Sequence, residues 1–179
     1  MRIRGLTILL ATTVAIGATG CGVAKGPTAD GAEPVETTSS ESLVIPVGEQ
    51  VAFWSEGNGS VDGEALRKVK SEGSATLLRT AAARNAFVDS LPAGLDPGEL
   101  ASIDLDTNLL VVGAYPKCME EARVLTDAAH TSVWFHVYVP ERDAGTVCAW
   151  SPHTVEVWKV PLAELGDADP AELDNSPPD

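Results

Sequence analysis

Three cysteines, three histidines and 26 acidic side chains are the groups in this chain that could do chemistry. Cys118 and Cys148 could form a disulfide, act as nucleophiles, or hold zinc together with His130, His136 or His153. Zinc sites favour C-x-x-C or H-x-x-x-H spacing, and neither pattern occurs. There is no G-x-S-x-G elbow for a serine nucleophile and no glycine-rich loop to cradle phosphate. The run Asp104-Leu105-Asp106-Thr107-Asn108 opens like a calcium loop. That loop needs Gly at its sixth position and Glu at its twelfth, where Leu109 and Tyr115 stand. It reads as a turn before a strand. His136, between Trp134 and Tyr138, reads as a sheet-surface or interlayer histidine. No catalytic residue, metal ligand or cofactor-binding residue is assigned, and the chain is expected not to be an enzyme.

Cys21 has a different setting. Met1-Arg2-Ile3-Arg4 supplies a positive start, and the uncharged run Gly5 to Thr19 carries Leu6, Ile8, Leu9, Leu10, Val14 and Ile16. Small residues, Ala18-Thr19-Gly20, stand directly before Cys21. This order of charge, apolar run and small residues is that of a secretory signal. It resembles the lipobox of bacterial lipoproteins, with Ala18 where that family most often has Leu. The resemblance implies that Cys21 receives a diacylglycerol, that residues 1–20 are removed, and that the new amino terminus is acylated. Two or three acyl chains anchor stably, where one would be marginal. The expected location is the extracytoplasmic face of the cell membrane, lipid-anchored.

Removal of residues 1–20 takes away two of the 12 basic residues and none of the 26 acids. The mature chain would then carry 10 bases against 26 acids, a formal charge of −16. Phosphate backbones are bound through clusters of Lys and Arg, so nucleic acid is excluded as a partner. Anchoring falls to the lipid rather than to protein charge. With Cys21 acylated, Cys118 and Cys148 are the two cysteines left, and in an oxidising compartment they are expected to pair. Closing a loop of this length constrains the unfolded chain by roughly 3.5 kcal/mol.

The elements that would position these residues follow from hydrophobic periodicity. Residues 21–42 hold Gly, Pro, Ser, Thr, Ala and Glu with little to bury, and read as a flexible tether. Gly166 to Asp179 has five acids, three prolines and no base, and reads as a disordered acidic tail. Between them, residues 43–165 suffice for one domain. Val133 to Val139, closed by Pro140, alternates as a strand. Thr154 to Val160, closed by Pro161, is a second. Leu109 to Tyr115 is continuously apolar and is expected at a central position covered on both faces. Ala122 to Asp127 and Thr146 to Trp150 suggest shorter strands. Leu66 to Lys70 and Ser74 to Arg79 suggest a pair across Ser71-Glu72-Gly73, and Leu43 to Trp54 an extended segment broken by Pro46 and Gly48. Thr80 as N-cap opens one main helix over residues 80–91, stopped by Pro92. The class is α+β, a β-rich single domain with a largely antiparallel sheet.

One strand face carries Trp134, His136 and Tyr138, and another carries Glu156 and Trp158. If the two strands are neighbours, these residues present an aromatic patch to a partner, since aromatics are enriched at interface anchors. Alternatively the face packs under the main helix as a second core layer.

From Ser74 onward the order of elements resembles a PrcB-like domain, found in an accessory lipoprotein of a bacterial surface protease complex. The likeness rests on three stretches: the helix from Arg79 to Leu91, Ile103-Asp104-Leu105-Asp106 leading into Leu109-Leu110-Val111-Val112-Gly113, and Ser151-Pro152-His153-Thr154-Val155 leading to Val160-Pro161. The family's Gly-Gly-Tyr after the central strand is replaced by Pro116-Lys117-Cys118-Met119-Glu120. The resemblance covers residues 74–162 and implies a non-enzymatic adapter that binds or stabilises another envelope protein. The expected function is therefore a membrane-anchored, non-catalytic binding or accessory lipoprotein. A small extracytoplasmic hydrolase and a ligand- or ion-sensing lipoprotein are the alternatives.

Overall fold

A computed structural model describes residues 43–57, 63–69, 75–166 and 168–178. The expectations for residues 1–20, for residues 21–42 and for Cys21 lie outside them. In chain order the elements are β1 (Val44–Val47), β2 (Glu49–Ser55), α1 (Gly63–Leu66), β3 (Thr76–Leu78), α2 (Ala81–Ser90), β4 (Asn108–Pro116), β5 (Glu121–Asp127), β6 (Val133–Tyr138) and β7 (His153–Pro161). Short 3-10 turns stand at Gly98–Ser102, Glu141–Asp143 and Leu162–Leu165. The strands form two antiparallel sheets, one ordered β1-β5-β6 and the other β2-β7-β4-β3. The β-rich α+β class and its one main helix agree with the sequence; the division into two sheets is new.

β4 explains how the layers stack. Its alternate residues point to opposite faces, and both faces are apolar. Leu109 and Val111 join Val47, Leu77, Val124, Val133 and Val160 in a core between the two sheets. Leu110, Val112 and Ala114 join Trp54, Leu66, Leu78, Leu100, Val155 and Val157 in a second core on the other side. Ala83, Phe87, Val88 and Leu91 of α2 and its C-cap cover that second core. The central, doubly covered position expected for this strand is the one it occupies.

Two glycines make the layering possible. Gly48, at φ +74°, lets the chain pass directly from β1 in one sheet to β2 in the other, and a Cβ there would meet the Lys159 carbonyl at 2.5 Å. At Gly113, a Cβ would sit 2.4 Å from the Phe135 ring, so its absence lets β4 and β6 approach. The break expected at Pro46 is absent. Pro46 lies within β1, an edge strand, where its missing N–H costs no ladder bond on the open side. Helix α2 begins as expected, the Thr80 hydroxyl accepting the Ala83 N–H at 3.1 Å.

Three further expectations fail. Among the described residues, 66–69 and 75–79 do not pair with each other. Gly63–Leu66 is a helical turn whose Leu66 is fully buried, and Thr76–Leu78 pairs with β4 instead, whose long apolar ladder is the stronger template. Thr146 to Trp150 is irregular loop rather than strand. The tail is not disordered over residues 168–178. Leu173 is buried in the core between the sheets, Asp174 bridges to Ser132, and the Asn175 amide donates to the Ala75 carbonyl at 3.2 Å. The Arg79 guanidinium donates to the Pro170 and Leu173 carbonyls. One apolar side chain and one fork of donors hold a segment whose overall composition is acidic.

Candidate functional site

The four residues expected to form one aromatic face are divided by the fold. Trp134, His136 and Tyr138 lie on β6 in the three-stranded sheet, whereas Trp158 lies on β7 in the four-stranded one. The strands are not neighbours, so no single patch forms. Nor does α2 cover β6, because the helix packs on the far side of the other sheet. Phe135 and Val133 point into the sandwich, which leaves Trp134, His136 and Tyr138 on the outer face of their sheet. There the His136 and Tyr138 rings stack at 5.8 Å, and the Arg123 guanidinium lies 4.6 Å from the Tyr138 centroid. Burial, with Arg123 adding to it, pushes the His136 imidazole below its ordinary range. Tyr138 donates to Glu121 at 2.9 Å, which raises the phenol and lowers the carboxyl, and Arg142 also pairs with Glu121.

Trp158 belongs to a network that the sequence did not reveal. Glu156, 1% exposed, sits on the interior face of β7 opposite Gly113. Its carboxylate accepts the Tyr115 hydroxyl at 2.7 Å and the Trp158 indole N–H at 3.0 Å. The Lys117 ammonium stands 3.7 Å away and 5.0 Å from the Phe53 centroid. Burial, then the bond to Glu156, pushes the Tyr115 phenol far above its ordinary range. The Glu-x-Trp spacing on one strand face was visible, but the layer it faces was not. Two donors and an ammonium already satisfy the carboxylate, so this group braces the interlayer and does not stand ready for substrate.

The same end of the sandwich carries the disulfide. Ser55 and Tyr115 both pair with Thr154, Pro116 pairs with His153, and Glu121 pairs with Tyr138. The ends of β2, β4 and β6 and the starts of β5 and β7 therefore converge. Cys118, on the β4–β5 turn, is bonded to Cys148 on the β6–β7 loop with Cα atoms 6.0 Å apart, as expected from the sequence. The Lys117 N–H donates to the Pro152 carbonyl at 2.8 Å, giving the loop a second attachment. Of the eight exposed large hydrophobic residues among the described ones, six are here: Phe53, Met119, Val137, Val139, Val147 and Trp150. Val147 is 91% and Trp150 59% exposed, and the Trp150 ring reaches Gly57. Loops that display function on a rigid scaffold commonly look like this. The sequence does not point to these two, because Thr146 to Trp150 reads as a strand there; the preceding Gly145, at φ +86°, marks the turn.

At the opposite end, the Asp104 carboxylate accepts the Asp106 N–H at 2.9 Å and the Thr107 hydroxyl at 3.2 Å. The calcium-like run is thus a turn leading into β4, as its sequence suggests. No protein-family model matches the chain, and comparison with curated proteins and with solved structures found no significant match.

Proposed function

We propose that this chain is a lipid-anchored extracytoplasmic protein that acts without catalysis, docking another envelope protein through the loop end that carries the disulfide. The observation that carries the reading is the display of Val147 and Trp150 on a loop clamped by Cys118–Cys148. Exposed apolar residues scattered singly are ordinary, but six gathered at one end of a sandwich suit a partner. Preordering that loop lowers the entropy lost on binding. The lipobox-like start supports the anchor, and the resemblance of residues 74–162 to PrcB-like domains favours an accessory role.

The test is capture of envelope proteins by the full chain, in parallel with Trp150→Ser and Val147→Asp. Both side chains are exposed, so melting temperature should stay within about 2 °C, as for surface substitutions away from special features. The expected result is a protein enriched by the native chain and lost with either variant. Capture indifferent to both substitutions would sink the proposal.

A further inference from the structure

The segment from Ala168 to Pro178 is gripped by groups that all precede Gly166 in the chain. Leu173, 5% exposed, is the one buried side chain among its described residues, set in the interlayer core with Leu77, Val133 and Leu165. Ala168 and Pro170 are half-buried, and the rest of the segment is exposed. The remaining grip is mostly on its backbone. The Arg79 guanidinium donates to the Pro170 carbonyl and, at 2.7 Å, to the Leu173 carbonyl. The Val133 N–H donates to the Asp174 carbonyl at 2.8 Å, and the Asp174 N–H to the Thr131 carbonyl at 3.0 Å. The Asn175 amide adds a side-chain bond to the Ala75 carbonyl.

The acids of the segment take no part in this grip. The Asp169 carboxylate accepts the Ala171 N–H at 2.9 Å, and the Asp174 carboxylate accepts the Ser176 N–H and hydroxyl, all within the segment. Four backbone bonds and one apolar pocket are how extended peptides are recognised, the main-chain bonds giving affinity and the pocket selectivity. The gripping groups are positioned without the segment. Arg79 follows β3 and immediately precedes the Thr80 cap, and Val133 opens β6. Thr131 is fixed by two bonds to the Asp127 carboxylate.

We propose that the groove between Arg79 and the start of β6 is a peptide-binding site that the chain's own C-terminal segment occupies. Its external ligand is an extended segment of another protein with a leucine in the place of Leu173. Such a ligand must present a carbonyl three residues before the leucine, the leucine's own carbonyl, and the N–H and carbonyl of the next residue. Its charge is not read. The groove lies away from the disulfide, since Leu78 pairs with Leu110 near the start of β4 and Val133 with Thr126 near the end of β5. It is therefore independent of docking through Val147 and Trp150. The resident segment sets the threshold for exchange. One buried leucine favours the docked state by about thirtyfold to a thousandfold, and a short tether supplies an effective concentration of about 1 mM. A free peptide of the same sequence should therefore bind the vacated groove with a Kd of about 1–30 μM, and the native chain, whose segment it must displace, near 1 mM.

The experiment is fluorescence anisotropy of a labelled peptide, residues 168–178, titrated with the full-length chain. Leu173→Ala in the chain loosens the resident segment and should tighten peptide binding about thirtyfold or more over the native chain. Adding Arg79→Ala to that chain, or placing Leu173→Ala in the peptide, should return binding to the native level or below. A peptide with Asp169→Ser and Glu172→Ser should bind within about fivefold of the native peptide, since exposed charges contribute little. If Leu173→Ala unfolds the chain, a protease site inserted after Gly166 of the native sequence takes its place. Cutting the folded chain there should let the labelled peptide exchange with the released segment. No binding at about 100 μM to a Leu173→Ala chain that still melts cooperatively overturns the proposal. So does binding indifferent to both Arg79→Ala and the leucine substitution in the peptide. A dimer that grows with chain concentration and survives excess peptide would give the groove to the segment of a second copy, and also overturns it.

Discussion

A carboxylate enclosed between two sheets is costly unless its lone pairs are used and its charge is answered. Glu156 meets those conditions with one phenol, one indole and one ammonium. Replacing it with Leu keeps the volume but strands the Tyr115 hydroxyl and the Trp158 N–H, at about 1–3 kcal/mol for each unsatisfied donor. Chemical denaturation of Glu156→Leu should therefore show a loss of about 3 kcal/mol, and a loss below 1 kcal/mol would contradict the bracing role. The same contact governs alkaline stability. Tyr115 resists ionisation when folded, first through burial and then through Glu156, but ionises freely near pH 10 when unfolded. Its contribution is complete below that pH and is lost as pH rises beyond it. Absorbance titration should find tyrosinate from Tyr115 appearing only together with alkaline unfolding. The sequence displayed every member of this network, yet which layer Glu156 faces depends on the sheet to which β7 belongs.

Elements with strong periodicity were legible. The apolar run of β4, the alternation in β6 and β7 and the Thr80 cap each follow from local rules, and each is found. The acidic composition of the C-terminal segment predicts disorder, whereas its docking depends on Leu173 and on the carbonyls that Arg79 binds. Ending the chain after Gly166 should lower stability by about 2–4 kcal/mol, comparable to truncating a buried leucine. Thermal melts of the truncated and intact chains check this, and Leu173→Ala should reproduce most of the effect. An unchanged melting temperature for both would mean that the segment is a passenger.

At the scale of the whole molecule, two features stand apart from packing: the acidity of the chain and the lipobox-like start. If Cys21 carries the anchor, Cys21→Ala should move the protein from the membrane fraction to the soluble extracytoplasmic one. Detergent-phase partitioning of native and variant chains reads this directly, and a variant still held in the membrane would refute lipidation as the anchor. The sequence by itself determined the fold class, the doubly covered β4, the main helix and the pairing of Cys118 with Cys148. Those depend on near neighbours along the chain or on simple counting. Only the tertiary structure decided that β6 and β7 lie in different sheets, that Trp158 and Glu156 face inward, and that Val147 and Trp150 stand outward at the disulfide end. Strand partners are chosen by contacts far apart in sequence, and a period-two pattern gives a strand two faces without saying what each one meets.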